Sequence, residues 1–118
     1  MKLLLVEDDE NTQEMITALL KRLDFTIDIE AANDGDHGLK CYLDRSHDLV
    51  ITDNAHPGIL GIELIDLILA RNPLQRVILQ TGNSSEQIET FRQKHKDIPF
   101  LQKPYSLRVL LDTVKAMV

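Results

Sequence analysis

The sequence predicts one α/β domain over residues 1–118, with five parallel strands covered on both faces by helices. Strand-like and helix-like patterns alternate five times, which implies parallel strands joined by right-handed crossovers. The runs Leu3-Leu4-Leu5-Val6, Leu49-Val50-Ile51 and Val77-Ile78-Leu79 are continuously apolar, as in strands buried on both faces. A chain of 118 residues, 43% hydrophobic and 27% charged, can bury a substantial core.

The first strand, Lys2 to Val6, ends abruptly in Glu7-Asp8-Asp9-Glu10. Asn11, with Glu14 three positions on, resembles a capping box in which Asn replaces Ser or Thr. Met15, Ile16, Leu19, Leu20 and Leu23 then share one helical face. Phe25, Ile27 and Ile29 alternate with Thr26, Asp28 and Glu30, the pattern of a strand wet on one side, so this strand belongs at an edge. Asn33-Asp34-Gly35 is a turn or helix start, and Leu39, Tyr42 and Leu43 give the second helix a modest apolar face.

The third strand, Leu49 to Asp53, is stopped by the turn at Pro57-Gly58. A helix from about Gly61 to Arg71 follows, apolar over more than one face: either it is buried against neighbouring helices, the preferred reading, or it offers surface to a partner; Asn72-Pro73 ends it. The fourth strand runs into Gln80-Thr81-Gly82-Asn83. Ser84 or Ser85 caps a helix to about Lys96 that only Ile88 and Phe91 anchor, an element of low local stability. Phe100-Leu101 is a short fifth strand before Lys103-Pro104. Ser106 caps a last helix lined by Leu107, Leu110, Leu111, Val114 and Met117.

With the wet second strand at an edge, the order 2-1-3-4-5 follows, the doubly wound arrangement called flavodoxin-like. Strands one and three then flank the topological switch point, where ligands bind beyond the strands' carboxyl ends.

Bulk properties narrow the function. A net charge of −6 argues against direct nucleic-acid binding. No apolar run approaches a membrane span or a secretory leader. The single Cys41 makes no internal disulfide and has no metal-ligand partner by spacing, which fits a helix residue in a reducing cytoplasm. There is no repeat, linker or low-complexity segment.

The predicted order brings Glu7 and Asp8 beside Asp53. Two such charges about 4 Å apart repel by roughly 4 kcal/mol at an effective dielectric of about 20. The cluster therefore calls for a proton or a cation, and all-oxygen ligands of this kind suit Mg²⁺. Thr81 adds a hydroxyl from strand four and Lys103 an ammonium from strand five. Taken singly, Asp53 reads as a loop-capping acid, a nucleophile or a metal ligand. Glu7 and Asp8 alone read as solvated acids, Thr81 as a strand-end hydroxyl, Lys103 as a surface lysine. Together, at the ends of adjacent strands, they form a phosphoryl-binding constellation. No Gly-rich phosphate loop, Ser/His/Asp arrangement or Cys/His cluster competes. His37, His47, His56 and His95 read as surface residues, with His56 worth testing because it follows Asp53 by three positions.

At this point the chain resembles the receiver domain of two-component response regulators over its whole length. The residues that carry the resemblance are Leu4-Leu5-Val6-Glu7-Asp8-Asp9, Asp48-Leu49-Val50-Ile51-Thr52-Asp53 with Pro57-Gly58 and Gly61, Thr81, and Lys103-Pro104. The resemblance implies that Asp53 accepts phosphoryl from a sensor histidine kinase or histidine phosphotransfer protein. It implies that Asp8, Asp53 and the Ala55 backbone carbonyl ligate Mg²⁺ directly, with Glu7 acting through water. Thr81 and Lys103 would bind phosphoryl oxygens, and Thr81 with Phe100 would form the switch that changes the surface of helix four, strand five and helix five. It implies a cis Lys103–Pro104 bond. A downstream effector or fused output domain would read that surface, and a homodimer is common in the family.

Some positions depart from the family pattern. Asn54-Ala55-His56 replaces a mostly apolar stretch, Leu60 sits where an acid is frequent, and Phe100 lacks the usual tyrosine hydroxyl. The small Ala55, with Gly82 and Asn83, bears on phosphoryl lifetime without fixing its direction. These departures keep a second reading open, a receiver-like interaction module that works without phosphate. A phosphatase using an aspartyl phosphate ranks below both, because Ala55 stands where those enzymes carry a second acid. The sequence fits either a single-domain regulator or the receiver part of a larger one.

Overall fold

Three strands of the computed structural model are buried along nearly their whole length, and they are the continuously apolar runs. The structure describes residues 1–23, 26–82 and 84–117. In chain order the elements are β1 (Lys2–Val6), α1 (Glu10–Leu20), β2 (Asp28–Ala32), α2 (Gly35–Asp44), β3 (Leu49–Asp53), α3 (Gly61–Arg71), β4 (Arg76–Thr81), α4 (Glu86–Lys94), β5 (Phe100–Gln102) and α5 (Leu107–Ala116). All strand pairs are parallel, in the order β2-β1-β3-β4-β5. This is the flavodoxin-like arrangement expected.

Side-chain alternation divides the core into two layers. Leu3, Leu5, Leu49, Ile51 and Ile78 face Ile16 and Leu20 of α1 and Leu110 and Val114 of α5. Leu4, Val6, Val50, Val77 and Leu79 face the other way, onto Cys41 of α2, Leu64, Ile65 and Ile68 of α3, and Ile88 and Phe91 of α4. Ile88 and Phe91 are the only buried residues of α4, as its pattern predicted. Its cap is Ser85, whose Oγ accepts from the Ile88 N–H at 3.2 Å. No described helix is long and apolar enough to cross a membrane.

Several expectations are corrected. The cap of α1 is Asp9, not Asn11: its backbone is extended, and its carbonyl accepts the first helical hydrogen bond, from the Gln13 N–H at 2.9 Å. Its carboxylate accepts from the Thr12 hydroxyl at 2.6 Å, the main cause that lowers its pKa. Met15 is 53% exposed, because starting the helix at Glu10 turns that position outward. The second strand is an edge strand but begins at Asp28 and extends through Ala32, paired residue for residue with β1. The alternation at Phe25 lies outside the described residues, as does Asn83. In α2 the buried positions are Gly35, Gly38 and Cys41, and Leu43 points out. Helix α4 stops at Lys94 rather than Lys96, and Leu107 of α5 is exposed.

Two of the histidines read as surface residues are buried, and one is half-buried. His47 is buried, bonded to Glu30 of β2 at 2.8 Å and stacked on Tyr42. His56, within the loop after β3, is buried as well. The half-buried His95, which caps the C-terminus of α4, reaches Asp66 of α3 at 2.9 Å. Only His37 is exposed as expected.

Candidate functional site

β1, β3 and β5 each end by delivering a charged side chain to one spot. Glu7 follows Val6 directly, Asp53 closes β3, and Lys103 follows Gln102. Carboxylate oxygens of Glu7, Asp8 and Asp53 lie within 4.8 Å of one another. The Lys103 Nζ donates to Asp53 Oδ2 at 2.6 Å and to Glu7 Oε1 at 3.2 Å. Position 103 is fixed by backbone as well: its N–H donates to the Thr81 carbonyl at 2.8 Å. The Lys103–Pro104 peptide is cis. Thr81 itself is buried at the end of β4.

The loop after Asp53 is built as tightly. The Ala55 N–H donates to Asp53 Oδ1 at 3.2 Å, which holds the carboxylate from the side opposite Lys103. Asn54, a departure from the usual apolar stretch, caps α3: its Oδ1 accepts from the Ile62 N–H at 3.1 Å and its carbonyl from the Gly61 N–H at 3.2 Å. Gly61 is needed because a Cβ there would stand 2.4 Å from the Asp53 carbonyl oxygen. Gly58 has φ +78°, a conformation that side chains rarely adopt. The Asp53 side chain is 8% exposed, yet Asp8, Ala55 and Gly82 beside it are exposed, so the pocket opens to solvent at its rim.

Electrostatics fit the donor set. Burial, then hydrogen bonding to Asp53 and its charge, raise the Glu7 carboxyl from 4.5 to about 7, against the opposing pull of Lys103. Burial alone would lower the Lys103 ammonium, but Asp53 and then Glu7 outweigh it and raise the pKa. With Glu7 ionised, its buried Oε2 has no hydrogen-bond donor. An orphaned carboxylate oxygen among three clustered acids is the environment of a small hard cation such as Mg²⁺.

The structure thus brings Glu7, Asp8, Asp53 and Lys103 together, ties Ala55 to Asp53, and sets Thr81 on the neighbouring strand end. Phe100 lies apart from the acids, half-buried at the start of β5 beneath the Arg92 guanidinium of α4, 4.3 Å from its ring centroid. Two polar pairs near the site, one buried and one partly buried, are not legible in the sequence. The Tyr105 hydroxyl donates to Gln80, and burial raises its pKa. The Thr52 hydroxyl lies 3.1 Å from His56 Nε2. The available signal was polarity itself: Gln80 and Thr52 each extend an apolar strand run.

Comparison with known proteins agrees with this geometry. The response regulator receiver domain family matches residues 3–115. The Regulatory protein VanRB of Enterococcus faecalis is 30% identical over 117 residues, 98% of this chain and 51% of that protein. The Response regulator protein FleR of Pseudomonas aeruginosa is 36% identical over 117 residues, 96% of this chain and 24% of that protein. The chain thus spans about half or less of the curated relatives it matches. Among solved structures, response regulator protein TrrA from Thermotoga maritima in complex with Mg(2+)-BeF superposes with a TM-score of 0.87 at 26% identity, covering 99% of this chain and 98% of that one.

Proposed function

The chain belongs to the response regulator receiver domain family of two-component signalling, and from that premise we propose that Asp53 is its phosphoacceptor. The observation that carries this reading is the contact of the Lys103 ammonium with Asp53 Oδ2 at 2.6 Å, inside a cluster of three acids. Residues 1–118 act as one receiver domain. The Asp53 carboxylate attacks the phosphorus of a phosphohistidine on a histidine kinase or histidine phosphotransfer protein. The P–N bond breaks as the O–P bond forms, and the imidazole takes up a proton. Lys103 exchanges part of its contact with Asp53 for a phosphoryl oxygen, and the Thr81 hydroxyl binds another. The Ala55 N–H keeps the carboxylate oriented for in-line attack.

Asp8, Asp53 and the Ala55 carbonyl would hold Mg²⁺ directly, with Glu7 acting through water. When bound, the ion neutralises charge on the transferred group. The chain signals rather than turning over a substrate, and any part it takes in its own phosphorylation and dephosphorylation belongs to this proposal. Movement of Thr81 toward the phosphoryl group lets Phe100 turn, which alters the α4-β5-α5 surface read by an effector or an attached output domain; a homodimer through that surface is compatible. The thinly anchored α4 supports such a two-state element. The place of action is the cytoplasm.

Acetyl phosphate with millimolar Mg²⁺ is expected to add one hydroxylamine-labile phosphoryl group per chain, and Asp53→Asn is expected to abolish it. Undiminished labelling of that variant overturns the assignment. Failure of the wild-type protein to bind Mg²⁺ would favour the phosphate-independent module instead.

A further inference from the structure

Beyond the charged cluster, a buried hydrogen-bond chain runs to the phosphoacceptor from a residue the family pattern fills with an apolar side chain. The Thr52 Oγ1 donates to the Asp53 carbonyl oxygen at 2.9 Å, and lies 3.1 Å from His56 Nε2. Thr52 and His56 are both buried. His56 Nδ1 is buried without a hydrogen-bond partner.

These facts assign the hydrogens. A hydroxyl has one proton to give. If it goes to the Asp53 carbonyl, Thr52 can only accept from His56, so Nε2 carries the ring hydrogen. The opposite tautomer would bury an Nδ1–H donor with no acceptor, the rarer and costlier defect. The chain therefore reads in one direction: His56 Nε2–H to Thr52 Oγ1–H to the Asp53 carbonyl.

That carbonyl is the start of the turn that makes the site. The next peptides place the Ala55 N–H on Asp53 Oδ1 and lead to the Ala55 carbonyl. On its far side the Asp53 carbonyl is backed by Gly61, where no Cβ fits. It is thus held by a close backbone approach and by a polarised hydroxyl.

We propose that His56 is a positioning residue for phosphoryl transfer: through Thr52 it locks the Asp53–Ala55 turn, and so the carboxylate and the Ala55 carbonyl, in the metal-binding geometry. The proposal rests on the receiver reading given above and adds to it a residue that touches neither metal nor phosphoryl group. His56→Met keeps the volume and removes the donor. His56→Gln returns an amide N–H to the Nε2 position. Thr52→Val removes the hydroxyl, and Thr52→Ser retains it.

The experiment measures the Mg²⁺ dissociation constant by calorimetry and the phosphorylation rate with phosphoramidate for these variants. Loss of an outer partner of a metal ligand typically costs about 10–100-fold. His56→Met and Thr52→Val are each expected to weaken Mg²⁺ binding and slow phosphorylation about tenfold. The double variant is expected to be no worse than either, because both break one chain. His56→Gln and Thr52→Ser are expected within about threefold of wild type, which a merely structural histidine would not give. His56→Met within twofold of wild type, or a double variant multiplying the two losses, overturns the proposal. Long-range proton–nitrogen spectra of the wild-type protein test it without any activity. An Nε2–H tautomer is expected, and an Nδ1–H tautomer overturns the proposal even if Asp53 is phosphorylated normally. A wild-type protein that takes no phosphoryl group but shows the Nε2–H tautomer overturns the receiver reading and leaves the hydrogen-bond chain standing.

Discussion

Glu7→Gln is expected to make the metal-free protein more stable while making it a poorer receiver. In the fold the Glu7 carboxyl is raised from 4.5 to about 7, first by burial and then by Asp53. Below pH 4.5 both folded and unfolded chains hold the proton, and Glu7 costs nothing. Between 4.5 and 7 the unfolded chain releases it and the folded chain keeps it, so stability falls as pH rises. Above 7 the whole penalty is present. At about 1.4 kcal/mol per pH unit, carrying the group from 4.5 to about 7 amounts to about 3 kcal/mol. The partly exposed Lys103 and the exposed Asp8 admit water, which screens the cluster, so about 1–3 kcal/mol is the expected gain for the neutral amide at pH 8. At pH 5 only about a quarter of it should remain. Urea denaturation in EDTA reads both values. Saturating Mg²⁺ should then stabilise wild type more than the variant, narrowing or reversing the difference. A variant less stable than wild type at pH 8 without metal, or equally stabilised at pH 5 and pH 8, refutes the reasoning.

With Glu7 ionised when it serves Mg²⁺ as proposed, affinity measured by calorimetry should be about tenfold weaker at pH 6 than well above pH 7, and level off there; a flat profile contradicts this. Gly61→Ala forces a Cβ against the Asp53 carbonyl and should cost about 1–3 kcal/mol in urea denaturation, with weakened Mg²⁺ binding; an unchanged midpoint contradicts it. Amides of α4, anchored by Ile88 and Phe91 alone, should exchange with solvent through local opening well below the global stability, while those of α3, anchored by Leu64, Ile65 and Ile68, exchange near it. Equal protection of the two helices would contradict that.

Much of the fold was legible because strands buried on both faces must be apolar throughout, and Leu3–Val6, Leu49–Ile51 and Val77–Leu79 announce themselves that way. The acids were legible because each stands immediately beyond or at the end of such a run. Boundaries set by polar contacts were not. Asp9 caps α1 through backbone geometry that depends on where β1 delivers the chain, and Asn11 has the better cap sequence. The edge strand β2 takes its limits from pairing with β1, not from its own alternation. The burial of His47 and His56 was hidden for a related reason. Histidine is tolerated inside only beside a partner, and Glu30 lies on another strand while Thr52 lies back inside β3. Asn54 reads in the sequence as a departure from the family pattern; in the fold its side chain accepts from the Ile62 N–H at the start of α3 and helps hold the loop.

The central claim is that position 53 carries the phosphoryl group, and its direct measurement is borohydride reduction of the phosphorylated protein followed by tandem mass spectrometry. An acyl phosphate at Asp53 is reduced to homoserine at that position, and the account predicts homoserine there alone, with none in protein treated without Mg²⁺. Homoserine at another aspartate, or phosphate retained on a histidine or hydroxyl after reduction, would contradict it.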